Sequence, residues 1–154
     1  MPLSPPDFQF VSQLVRQRSA IVLEVEKSYL LEARLTPLAR AEGFASLEAL
    51  IGQMRAQPSN GLHRKVVEAM TTNETSFFRD LHPFDALKKV VIPELLERRA
   101  AERQLTIWCA ASSSGQEPYT LAMVLKGALP PGFGVELIAT DVNEEMLART
   151  RDGR

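Results

Sequence analysis

The chain has 154 residues, 45% apolar and 24% charged, with a formal net charge of −1. That is the balance of an ordinary globular protein, one medium domain or two small ones. Residues 1–80 carry nine basic and nine acidic side chains, and the remainder carries one extra acid, which excludes a general nucleic-acid-binding surface. A single cysteine, Cys109, rules out an intrachain disulfide and points to a reducing compartment. No apolar run reaches membrane-spanning length and the N-terminus lacks a signal-peptide pattern, so the expected location is the cytoplasm.

In chain order, the Pro-rich residues 1–6 read as irregular. Ser4 or Asp7 caps a helix to about Arg18, with Phe10, Val11, Leu14 and Val15 on one face. A second helix starts near Glu24 and carries Tyr29, Leu30, Leu31 and Leu35; Pro37 predicts a kink or restart, and Gly43 a C-terminal stop. Ser46 caps a third helix over 47–56, with Leu47, Leu50, Ile51 and Met54 inward. Residues 58–61 read as a turn and 62–70 as a fourth helix. These helices make a small all-α domain.

Residues 71–80, TTNETSFFRD, break the pattern. Residue types alone suggest a capped turn, with Thr72 or Asn73 as N-cap, Phe77 and Phe78 in a core, and Arg79 solvated. Helical pieces follow over 83–89 and 93–101, each with proline near its first turn. Arg98, Arg99 and Arg103 form a basic end, as expected of a helix C-terminus matched to its dipole.

The organising stretch is 105–123, LTIWCAASSSGQEPYTLAM. Leu105–Ala110 reads as a buried strand with Trp108 in the core. Residues 111–116 form a small-residue loop, and 117–126 a helix with Pro118 in its first turn. Residues 130–134 turn, Val135–Ala139 is a second strand, and Asn143 or Asp141 caps a further helix. Strand, loop, helix, strand is the first unit of a nucleotide-binding α/β fold. Two strands do not complete such a sheet, so the chain reads as the front part of a longer domain.

Small residues around Gly115 let a ligand approach the backbone, and the helix start behind them favours a negative group. Asp141, 26 residues after Gly115, stands where an acid accepts both ribose hydroxyls. The loop is not GxGxxG, which disfavours a pyrophosphate and favours a nucleoside such as S-adenosyl-L-methionine. Glu117 suits that cofactor's cationic groups; the alternative is that it only complements the helix dipole. His63 and His82 stand apart from other metal-binding side chains, so no metal site is expected. Cys109, in an apolar strand, reads as structural.

The segments MTTNETSFFRD (70–80), HPF (82–84), IWCAASSSGQEPYTLAM (107–123) and IATDVNEEMLARTRDG (138–153) closely resemble the CheR family. These are chemotaxis receptor methyltransferases that esterify glutamate side chains with S-adenosyl-L-methionine. YLLEARLTPLAR (29–40) is similar to the family's second helix. The resemblance implies an N-terminal helical domain and linker over 1–80, and the first, incomplete part of a Rossmann-like methyltransferase domain over 81–154. It assigns cofactor contacts to Asn73, Thr75, Arg79, Glu117 and Asp141, which join Gly115 from the loop reading, with the 71–80 linker closing over the cofactor. It also implies an arginine near the transferred methyl group, matched by Arg98 or Arg99. Arg34 and Arg40 match a basic helix face that docks the cytoplasmic helical region of chemoreceptors. By the same resemblance the chain alone would bind cofactor weakly and have little activity. The rival readings are a small-molecule methyltransferase on the same fold and a non-catalytic scaffold that binds a receptor through its helical domain; a DNA-binding helical module fits least.

Overall fold

The computed structural model describes residues 3–57 and 61–153. The chain divides into two compact units, Met1–Thr72 and Asn73–Arg154.

The first unit is helical. Helix α1 (Pro5–Ser19) starts where the Ser4 side chain accepts the Asp7 amide, so the predicted irregular start gives way to helix at Pro5. Proline suits a first turn because its missing N–H has no intrahelical partner there. A 3₁₀ turn (Val25–Lys27) leads into α2 (Ser28–Ala41). The predicted restart at Pro37 does not occur: α2 runs through it. Pro37 and Ala33, whose carbonyl loses its donor, both lie on the exposed side, where water can serve that carbonyl. Leu31, Leu35 and Ala39 meanwhile hold the opposite face in the core.

Gly43 ends α2 as expected, with φ at 81°. Its amide bonds to the Arg40 carbonyl at 3.1 Å and the Phe44 amide to the Ala39 carbonyl at 2.9 Å, the paired bonds of a Schellman stop. Ser46 caps α3 (Leu47–Ala56) through the Ala49 amide at 3.2 Å. Helix α4 (Gly61–Met70) follows; the predicted 58–61 turn falls largely on residues outside those described. Val11, Val15, Leu31, Leu35, Leu50, Ile51, Met54 and Val66 meet in one core at near-zero exposure. Each such side chain contributes about 1.5–3 kcal/mol by leaving water.

In the second unit, residues 81–98 form one unbroken helical run where two pieces were expected: α5 (Leu81–Ala86), a π turn (Leu87–Val91) and α6 (Ile92–Arg98). The wide turn precedes Pro93, whose ring would clash with the Lys89 carbonyl of a regular helix. Strands β1 (Gln104–Ala110) and β2 (Gly134–Thr140) pair in parallel, with Ala110 opposite Thr140, and α7 (Gln116–Ala128) joins them. Helix α8 (Glu144–Asp152) follows, capped by Asn143 rather than Asp141.

One face of the sheet is covered. Ile107 and Leu137 pack with Phe84, Ile92, Val124 and Leu125. Trp108 is not core, contrary to expectation: it is 69% exposed. Side chains alternate along a strand, so the parity that buries Leu105 and Cys109 puts Trp108 on the uncovered face. There its indole N–H donates to the Thr140 hydroxyl at 2.9 Å.

Candidate functional site

The register Ala110–Thr140 brings the carboxyl ends of both strands level, so the loops that follow them lie side by side. This is where ligands bind in α/β sheets of this kind. The first loop is unusual in backbone: Ala111, Ser113 and Gly115 all take positive φ, at 62°, 49° and 100°. For non-glycine residues that conformation costs about 1–3 kcal/mol each and persists only when the surroundings over-determine it.

The surroundings do so through hydrogen bonds. The Ser112 amide donates to the Thr140 carbonyl at 2.9 Å, and the Gly115 amide to the Ser112 carbonyl at 3.0 Å. The Ser113 amide donates to Asp141 Oδ2 at 2.7 Å, while Asp141 Oδ1 accepts the Asn143 amide at 2.8 Å. The Ser113 hydroxyl donates to the Asn73 carbonyl at 2.8 Å, and the Ser113 carbonyl accepts from the Thr150 hydroxyl at 2.8 Å. Three segments, 73–80, 111–115 and 141–150, are thereby tied at one end of the sheet.

Asp141 is half-buried and each carboxylate oxygen already holds one amide. A carboxylate has about four acceptor positions, which leaves room for two further donors such as vicinal hydroxyls. Asn73 and Thr75 are half-buried on the neighbouring segment. That segment is anchored again where the Phe78 amide donates to the buried Thr120 hydroxyl at 3.2 Å. The Asn73 carbonyl and the Phe78 amide both bond to residues of the second unit, in keeping with a division at Thr72–Asn73. The expected N-cap and buried Phe pair give way to an exposed Phe77, with Phe78 edge-on to Phe84 at 5.9 Å. Arg79 is exposed and donates to the Glu74 carbonyl of its own loop at 2.9 Å, keeping its charge available to an anion.

Glu117 sits in the first turn of α7 and accepts the Cys109 thiol at 2.9 Å. Burial, and then the adjacent Glu117 carboxylate, push the Cys109 thiol up to about 12, so it stays protonated as a donor. Gly115 serves the fold differently from the sequence reading. A Cβ there would meet Thr150 Cγ2 at 2.9 Å, so the side where a Cβ would stand is filled by α8. Ser112 is the polar group left over: its hydroxyl is buried without a hydrogen-bond partner among the described residues.

The remaining assigned arginines take no part in the hydrogen bonds described above. Arg98 pairs with Glu94 of its own helix at 2.5 Å, with 70% of its side chain exposed, and Arg99 with Glu102 at 3.7 Å. In the first unit, Arg34 caps the end of α4, donating to the Met70 and Thr71 carbonyls at 2.7 and 3.2 Å. Arg40 is exposed. An apolar groove of about 460 Å³ beside α7, lined by Phe77, Tyr119 and Met123, includes none of Asn73, Glu117 and Asp141.

Sequence reasoning missed Ser113 and Thr150. Thr150 shares a helical spacing with Asn143 and Met146, a signal that it faces inward; Ser113 sits among three consecutive serines and has no such signal.

An acid at a strand end with spare acceptor positions, an unpartnered buried hydroxyl and an exposed cation on the neighbouring segment suit a nucleoside carrying a charged tail. Residues 6–71 match the family described as CheR methyltransferase, all-alpha domain, and residues 73–154 match CheR methyltransferase, SAM binding domain. The chain is 40% identical to the chemotaxis protein methyltransferase Cher2 of Pseudomonas putida, over 96% of this chain and 55% of that protein. It is 41% identical to chemotaxis protein methyltransferase 1 of Pseudomonas aeruginosa over the same shares, and 33% identical to the chemotaxis protein methyltransferase of Salmonella typhimurium over 98% and 50%. The chain thus spans about half the length of these relatives. No helix among the described residues is long and apolar enough to cross a membrane. The cofactor that the second unit's family implies is S-adenosyl-L-methionine, and the chain belongs to the CheR methyltransferase family.

Proposed function

We propose that the protein methylates glutamate side chains of chemoreceptors, using S-adenosyl-L-methionine, to give methyl esters in the cytoplasm. The observation that carries this reading is the join of Asn73, the 111–115 loop and Asp141 at the carboxyl end of a parallel β-α-β unit. In this reading Asp141 accepts the ribose hydroxyls with its spare lone pairs. Glu117 faces the cofactor's ammonium group, its carboxylate steadied by the Cys109 thiol. Arg79 pairs with the cofactor's carboxylate in a charge-assisted bond. Asn73 and Thr75 line the same side from the linker, which shields the site from water.

When bound, the cofactor supplies an electrophilic methyl group on a sulfonium. A glutamate carboxylate is already ionised near neutral pH, so no base is required. The protein's work is alignment and exclusion of water. Arg98 is the assigned arginine near the transferred methyl group, a role for which it must leave Glu94. Receptor docking falls to the exposed side of α2, with Arg40 as its cation, because Arg34 is occupied by carbonyl groups of its own unit.

The test is to incubate the full-length protein with methyl-labelled S-adenosyl-L-methionine and the cytoplasmic helical region of a chemoreceptor. Base-labile label on receptor glutamates is expected. Receptor binding without label would favour the scaffold reading, and label on a small molecule alone would favour the small-molecule enzyme.

A further inference from the structure

We propose that Ser113 is the positioning residue of the cofactor site, a role that rests on the cofactor reading above. It is 7% exposed and its three polar atoms bond to two other segments, 73–80 and 141–150. The hydroxyl donates to the Asn73 carbonyl, the amide to Asp141 Oδ2, and the carbonyl accepts from the Thr150 hydroxyl, all within 2.8 Å. Two of those partners, Asn73 and Asp141, are assigned cofactor residues, and they reach the site from segments far apart in sequence. Ser113 sets the distance between them without contacting the cofactor itself.

Its backbone supports this. With φ at 49° the position favours glycine, so serine is held there against a conformational cost. The hydroxyl is what glycine lacks, and its bond to Asn73 is the only side-chain bond that Ser113 makes among those described. Conformation alone would select glycine; the linker bond selects serine.

Opposite patterns in two variants of the full-length protein test this, read by calorimetric titration of S-adenosyl-L-methionine and by thermal unfolding. Ser113→Gly relieves the backbone and removes the hydroxyl: Tm is expected to hold or rise while Kd increases about tenfold, the equivalent of one hydrogen bond of roughly 1.4 kcal/mol. Ser113→Thr keeps the hydroxyl on a β-branched residue disfavoured at this φ: Tm is expected to fall while Kd stays within about twofold. Ser113→Ala keeps a Cβ and should bind as weakly as the glycine variant, which separates loss of the hydroxyl from added flexibility. Wild-type affinity in the glycine and alanine variants overturns the inference. Arg79→Ala serves as the separate control: if it binds like wild type, or if wild type does not bind, the cofactor reading itself fails.

Discussion

The two units of this chain are held together by different means. Among the described residues, the helical unit gathers twelve buried ones, from Phe8 to Met70, into one cluster drawn from four helices. The second unit's cluster has four, Phe84, Ile92, Val124 and Leu125, and its sheet leaves Trp108 and the cross-strand Ile138 exposed on one face. What the second unit has instead is a set of short hydrogen bonds at the strand ends, centred on Ser113 and Asp141. Non-directional burial keeps the first unit folded; directional bonds hold a strained loop in one geometry in the second. The second arrangement is the one a binding site needs, because it fixes acceptors and donors rather than volume.

The comparison breaks if truncating an apolar side chain on the uncovered sheet face costs as much as truncating the helical core. Leu35→Ala or Leu50→Ala should destabilise the helical unit by about 2–5 kcal/mol in urea unfolding followed by circular dichroism. Trp108→Ala in this chain should stay within about 0.5 kcal/mol. Next in size is Gly115→Ala. Its positive φ and the Thr150 side chain 2.9 Å from the new Cβ should destabilise the second unit by about 1–3 kcal/mol or more. The first unit's unfolding should not move, which fluorescence of Trp108 against total helicity would separate.

Smaller still, Arg34→Ala should cost about 1 kcal/mol by removing the donor at the end of α4. Equal stability with lost receptor binding would instead give Arg34 a docking role. A separate effect concerns pH. Because the folded Cys109 thiol is pushed up to about 12, folding keeps it protonated. Unfolded cysteine ionises near about 8.5, so its contribution is intact below that pH and is lost as pH rises toward 12. Cys109→Ala should flatten that decline, and the folded thiol should resist thiol reagents at pH 8; rapid labelling would show that the site opens.

Local rules were readable in the residues themselves. Ser46, Asn143 and Gly43 cap or stop the helices as side-chain chemistry requires, and the β-α-β order followed from apolar runs and a small-residue loop. Tertiary effects were not. Pro37 stays inside α2 because Leu31, Leu35 and Ala39 hold the helix from the other side. Trp108 lies outside because only one sheet face is covered, which a single strand does not reveal. For the site, the assigned Asn73 and Asp141 stood out by motif. The residue joining them did not, because Ser113 gains its role from segments 40 and 28 positions away.

Arg79 offers the most direct test of the cofactor site. It is exposed and its described bond is to its own loop, so removing it should leave the fold intact. Calorimetric titration of S-adenosyl-L-methionine into the full-length protein and its Arg79→Ala variant should show affinity falling by tenfold or more at unchanged Tm. Equal affinity in the two would contradict the account.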